Sequence, residues 1–165
     1  MIIREYCDGD ATAVGRLIAD TYTEFNLGFA SPEELKQLLG PFQHAYSNDP
    51  VHQEAIARVI RSEMVFVAAD AGDIAGVLRG RTDRLASLFV RGDHHRRGIG
   101  RRLVEVFEAE CRRHGSQVIR VAATEFAVPF YLAMGYRRST GLRHGHSFEG
   151  RGLPVQPMRK VLASI

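Results

Sequence analysis

Between Asp93 and Leu103 the chain reads DHHRRGIGRRL: two histidines, two arginines and a Gly-Ile-Gly, set just before a run with helical periodicity. Such a segment is suited to holding an anion. Glycines at 98 and 100 let the backbone approach a ligand closely, and the amides from about Arg96 to Arg101 face it from the positive end of the following helix. A pyrophosphate meets these requirements. Two familiar phosphate loops do not: counting from Gly92, Arg97 falls where a Walker loop needs its second glycine, and no lysine follows. A dinucleotide fingerprint needs glycine or alanine where Leu103 stands, and no acid occupies an obvious ribose position. The plainer alternative is that Gly98 and Gly100 only permit a tight turn into the helix while the arginines face water. His94 and His95 are adjacent rather than four apart, so no metal pair is expected there.

The flanking segments must position this loop. IIREY suits a short strand, and GDATAVGRLIADTYTEF repeats apolar residues at Val14, Leu17, Ile18 and Tyr22, which is helical spacing. Ser31-Pro32-Glu33-Glu34 combines an N-cap serine, a proline at the first helical position and acids in the first turn, so a second helix should run to about Leu39 and stop at Gly40-Pro41. VHQEAIARVI suits a third helix. MVFVAAD, AGD and IAGVLRGR spell a β-hairpin, and RLASLFVRG the next strand. The helix after the glycine loop should span about Gly98 to His114, burying Ile99, Leu103, Val106, Phe107 and Cys111. QVIRVAA reads as a strand, EFAVPFYLAMG as a short helix, and YRRST and VQPMRKVL as two last strands around a loop rich in Gly, His and Arg.

Composition narrows the class. With 165 residues, 45% of them hydrophobic and 25% charged, a single domain over 1–165 is expected. No apolar stretch approaches the ~18 residues that span a bilayer, and MIIREYCDGD does not read as a signal peptide, so the expected location is cytoplasmic, with no membrane partner. Cys7 and Cys111 lack any C-x-x-C spacing, which suggests reduced thiols and no thiolate zinc site. Of the 22 basic residues 20 are arginine, yet the net charge is only +3, and arginine is locally dense only from Arg91 to Arg113. Nucleic acid is therefore not expected as a partner, and the arginines at 101, 102, 112 and 113 are expected on a solvent face.

Two blocks resemble the GCN5-related N-acetyltransferase (GNAT) superfamily. LASLFVRGDHHRRGIGRRLVEVFEAECRRHG is similar to that family's strand, pyrophosphate loop and helix, whose signature is Gln or Arg, two residues, Gly, one residue, then Gly or Ala. VAATEFAVPFYLAMGYRRS is similar to its later strand and helix, with Ala127, Phe130-Tyr131 and Gly135-Tyr136 at the family spacing. The resemblance implies an α/β (α+β) fold: a mixed, mostly antiparallel sheet of six to seven strands flanked by helices, with a splayed central strand pair. It implies acetyl-CoA as co-substrate, no metal, and transfer of acetyl to an amine of a small molecule or peptide by a monomer or homodimer. A non-catalytic acyl-CoA sensor is the alternative.

Carried over residue by residue, the amides of Arg96, Arg97, Gly98, Gly100 and Arg101 would bind the pyrophosphate, with His95 and Ile99 in the same loop. Leu88, Phe89 and Val90 would pair with the pantetheine arm, Thr124 and Phe130 would contact the cofactor, and Tyr131 would protonate the departing thiolate. The sequence departs from the family at His95, where Gln or Arg is usual, and at Thr124, where Asn is frequent. The general base is not named by the sequence; Glu24, Glu63, Asp83 and Glu149 are the carboxylates near the expected pocket, each read as solvated. Acceptor selectivity is implied to reside after the first helix and between the last two strands. There Arg143, His144, His146 and Arg151 suit an acceptor bearing a carboxylate or phosphate.

Overall fold

Helix starts fall where local chemistry can satisfy their first amides. Ser31 Oγ accepts from Glu34 N at 3.2 Å ahead of α2 (Pro32–Leu39), and Asp49 Oδ1 accepts from Val51 N at 2.9 Å ahead of α3 (Pro50–Ile60). A computed structural model describes residues 1–163. It adds α1 (Ala11–Phe25), α4 (Ile99–Arg113) and α5 (Val128–Ala133) to strands β1 (Ile2–Glu5), β2 (Met64–Asp70), β3 (Asp73–Arg81), β4 (Arg84–Val90), β5 (Val118–Ala123), β6 (Arg137–Arg138), β7 (Arg143–Ser147) and β8 (Gly150–Val161).

The strands form a mixed sheet in the order β1-β2-β3-β4-β5-β8-β6, with β7 also paired to β8. Every pairing is antiparallel except β4 with β5. The sheet has eight strands rather than six or seven. The extra one, β7, lies in the segment read as a loop: RHGHS carries no apolar alternation, and its strand state comes from pairing with the long β8, from Arg143 opposite Val155 to Ser147 opposite Gly150.

Apolar residues pack on both faces. One cluster lies between the sheet and α4 and α5, the other between the sheet and α1, α2 and α3. On α4 the buried apolar residues are Ile99, Leu103, Val104, Phe107 and Cys111, so Val104 takes the place expected of Val106, which is 37% exposed. At about 100° per residue, Val106 and Glu108 flank Phe107 on opposite sides of the helix. Only the Glu108 side is covered, because Lys160 of β8 reaches that carboxylate at 2.6 and 2.9 Å. Burial pushes the Cys111 thiol up to about 12, which keeps it protonated and inert.

The feature that positions the site is a bulge in β4. Gly80 pairs with Leu85 and Arg79 with Ser87, so Ala86 is the extra residue, and the strand bends there. Beside it, β4 pairs with β5 only at Arg84 with Arg120 and Leu85 with Val121; beyond Leu85 the two strands part. This is the splayed pair that the resemblance implied. Gly80 permits the bulge, since a Cβ there would lie 2.6 Å from Arg84 O and 2.8 Å from the Phe107 ring. Gly80→Ala should therefore destabilise the protein by about 1 to 3 kcal/mol, the usual cost of overpacking a core, measured as a lower urea midpoint. An unchanged midpoint would mean that the bulge tolerates a side chain.

A second constraint fixes α1. Arg4 of β1 holds Asp10, just before α1, through two bonds of 2.8 and 2.9 Å, and Cys7 N donates to the same carboxylate at 2.9 Å. The Arg4 guanidinium first, and then the Cys7 amide, pull the Asp10 pKa down from 3.8 to about 2 against the opposing effect of burial. A carboxylate with a depressed folded pKa contributes stability that is present above its unfolded value and lost as pH falls through the folded one. The stability gap between wild type and Asp10→Asn should accordingly narrow from about pH 4 to about pH 2, followed by urea titration at each pH; a gap constant across that window would show that Asp10 ionisation is not linked to folding.

Candidate active site

Where β4 leaves β5, a cleft of about 890 Å³ opens. Its wall includes Leu88, Phe89 and Val90 of β4, then His95, Arg96, Gly98, Ile99, Gly100 and Arg101, then Thr124, Phe130 and Tyr131. Of the catalytic and cofactor-side residues that the resemblance named, only Arg97 stays outside, exposed to solvent. From Ala86 onward the side of β4 that faces β5 has no strand partner, so its peptide groups are available to an extended ligand.

The loop delivers amides to the same cleft. Gly98 is the N-cap of α4 in the left-handed conformation (φ 77°, ψ 10°), and no side chain caps the helix. The first amides of α4 therefore lack the acceptor that a Ser or Asp cap would provide, and open space surrounds the Gly98 Cα. Ile99 buries its side chain in the core at 1% exposure, so only its backbone can serve the cleft. Arg101 and Arg96 bring positive charge to the loop, the latter at a φ of +62°. Gly100 lies against the Phe130 ring, which a Cβ would meet at 3.2 Å.

The two departures from the family pattern each have a local explanation. His95 Nε2 donates to the Val90 carbonyl at 2.7 Å while its ring packs 4.6 Å from that of Phe25, so the imidazole ties the end of β4 to the loop and to α1. Thr124 Oγ1 donates to Asn26 Oδ1, joining β5 to the end of α1. A carboxamide thus reaches the cleft from Asn26 instead of from position 124. Phe25 also stacks on Phe126 at 5.2 Å and 27°, closing the same mouth. Phe25 and Asn26 carry no sequence signal of this role, because nothing in a helix end reveals what the fold will set opposite it.

Tyr131 is 4% exposed and forms edge contacts with Phe130 at 5.1 Å and Tyr136 at 5.5 Å. Burial raises its phenol well above the ordinary range, so the hydroxyl stays protonated at neutral pH. On the opposite wall Tyr22 bonds Ser147 of β7, which donates to the Leu38 carbonyl at 2.8 Å. Arg79 also lines the cleft, held by the carbonyls of Ile60 at 3.0 Å and Val59 at 2.6 Å and by Ser87 Oγ at 3.0 Å. Burial lowers its pKa, and no carboxylate among the described residues pairs with it.

The lining contains no Asp or Glu, so Glu24, Glu63, Asp83 and Glu149 all lie outside it. His146 is the one of the four expected acceptor-side basic residues that lines the cleft; Arg143, His144 and Arg151 are exposed elsewhere. No group of three potential metal ligands occurs among the described residues, and none of the described helices is long and apolar enough to cross a membrane.

Known proteins share this fold. The family described as acetyltransferase (GNAT) domain matches residues 23–162. A tRNA(Met) cytidine acetyltransferase from Aeropyrum pernix is 31% identical over 98 residues, a segment making up 53% of this chain and 13% of that protein. Among solved structures, a GCN5-related N-acetyltransferase (aminotransferase, class II) from Rhodopseudomonas palustris superposes with a TM-score of 0.76 at 20% identity, covering 98% of this chain and 95% of that one. The PaiA N-acetyltransferase from Thermoplasma acidophilum, solved in complex with coenzyme A, superposes with a TM-score of 0.71 at 15% identity, covering 98% of each chain. The two structures agree in fold, and the family match spans most of the chain, splayed strands and uncapped loop included: the protein belongs to the GNAT family of N-acetyltransferases.

Proposed function

We propose that residues 1–165 act as one domain that moves the acetyl group of acetyl-CoA to an amine of a small molecule or peptide, in the cytoplasm. The observation that carries this reading is the continuity of the cleft: an unpaired strand edge leads from the bulge at Ala86 to the uncapped amides of α4. The amides of Arg96, Gly98, Gly100 and Arg101 are suited to a pyrophosphate, with Arg97 outside the cleft contributing charge alone. The free edge at Leu88, Phe89 and Val90 is suited to the amides of a pantetheine arm, and Asn26, held by Thr124, and the Phe130 ring complete that channel. Acetyl-CoA, when bound, supplies the acyl group as a thioester.

The chain's own groups manage protons and charge. An alkyl ammonium has a pKa near ~10 and must lose a proton before it attacks. With no carboxylate in the lining, that proton leaves to water or to the imidazole of His146. Tyr131 keeps a proton at Oη because burial raises its phenol, and its place in the cleft wall offers that proton to the leaving thiolate. Arg79, cationic and without a carboxylate partner, favours an acceptor that carries an anionic group beside its amine.

Gly98→Val places a β-branched side chain at φ +77°, so it should weaken coenzyme A binding at least tenfold on titration calorimetry while circular dichroism stays native-like. A folded variant with wild-type affinity would move the phosphate site elsewhere. Tyr131→Phe keeps the ring, and general acid catalysis contributes about 100- to 10,000-fold, so kcat for free-thiol release across an amine panel should fall within or somewhat below that range at nearly constant cofactor affinity. Unchanged kcat would make Tyr131 a packing residue. Cofactor binding without turnover on any amine would support a sensor in place of an enzyme.

A further inference from the structure

Five arginines that are scattered in the sequence lie side by side in the sheet. Strand register sets Arg81 of β3 opposite Arg84 of β4, Arg84 opposite Arg120 of β5, Arg120 opposite Arg159 of β8, and Arg159 opposite Arg137 of β6. Register partners share a face, so all five emerge on one side of the sheet. It is the side away from α4, since their neighbours Leu85, Ile119, Val121 and Met158 belong to the α4 core. All five are exposed. Only Arg81 has an acidic partner, Asp83 at 3.3 Å; the other four form no ion pair among the described residues.

Like charges placed directly opposite one another destabilise a sheet, and here the repulsion recurs across four consecutive pairings. Such a row lowers the stability of the free protein unless an anion lies along it. At about 4.8 Å per strand it extends about 19 Å, a length over which duplex nucleic acid presents about eleven phosphates. The row is flanked by the apolar pairs Ala122–Pro157 and Val118–Val161, and no aromatic residue is among these partners. Base stacking is the hallmark of single-strand platforms, so this face is built for a backbone and not for unpaired bases. Arginine also suits it, since its planar fork matches phosphate oxygens.

We propose that this exposed strip, on the sheet face that α1, α2 and α3 cover elsewhere, is a binding surface for duplex nucleic acid, gripped through its phosphates by Arg81, Arg84, Arg120, Arg159 and Arg137. Arg84 also lines the cleft, so the row ends at the active site. The proposal stands on strand register and holds whichever amine the cleft accepts. It reverses the sequence-based expectation of no nucleic-acid partner, which weighed the arginines of α4, a different surface.

The test uses Arg120→Thr/Arg159→Thr, two positions outside the cleft lining, with a fluorescein-labelled DNA duplex of about 20 base pairs read by anisotropy from low to physiological salt. Wild type should bind with a log-affinity against log-salt slope of up to about −4.5 for five contacts; the variant should bind at least tenfold more weakly, with the slope shallower by about 1.8. Its melting temperature at low salt should meanwhile rise, because two like-charge neighbours are gone. That combination separates a binding surface from a structural one. No salt-dependent binding by wild type, an unchanged slope in the variant, or equal affinity for a poly-glutamate peptide of matched charge would each overturn the proposal.

Discussion

Two residue pairs, Arg84 with Arg120 and Leu85 with Val121, hold β4 against β5, and the architecture of the site follows from the pairing stopping there. A parallel pair broken after two residues leaves backbone donors and acceptors without partners in the middle of a sheet, where they are normally satisfied. The bulge at Ala86 makes the break, and Gly80 makes the bulge possible by leaving room beside Arg84 O and the Phe107 ring. Everything that lines the cleft is arranged around this parted seam. The β4 edge forms one side, the α4 loop one end, and the end of α1 crosses the mouth through Phe25 and Asn26.

The cleft is also electrostatically one-sided. Arg79, Arg84, Arg96 and Arg101 line it together with three histidines, and no carboxylate does. Such a lining sets up a positive potential along the cleft. The acids of the protein are used elsewhere: Asp10 fixes β1 to α1, and Glu108 is committed to Lys160 beneath the sheet. The buried pair at Glu108 stands beside Tyr136, which in turn packs on Tyr131, so the charge compensation inside the core protects the shape of the wall that holds the phenol.

The arginine row shows the opposite use of charge. Inside the core Asp10 is matched by Arg4 and Glu108 by Lys160, whereas along the exposed strip four guanidiniums in register have no acid beside them. On the same face of the sheet α1, α2 and α3 pack against Val67, Ile74, Val77, Leu153 and Val155, while the row's members lie exposed beyond that cluster on β3, β4, β5, β8 and β6.

Much of this protein is set by local sequence. Helical periodicity marks α1, Ser31-Pro32 begins α2, the AGD turn closes the β2–β3 hairpin, and DHHRRGIGRRL marks a basic glycine loop leading into α4, because propensity, capping and turn chemistry act over a few residues. What required tertiary structure is whatever depends on partners distant in the chain. Neither the strand state of RHGHS, the burial of Val104 in place of Val106, the reach of Asn26 to Thr124, nor the exclusion of Arg97 from the cleft has a local cause. The arginine row is the clearest instance: its members lie on five strands between positions 81 and 159, and only hydrogen-bond register, which no short-range pattern encodes, sets them side by side.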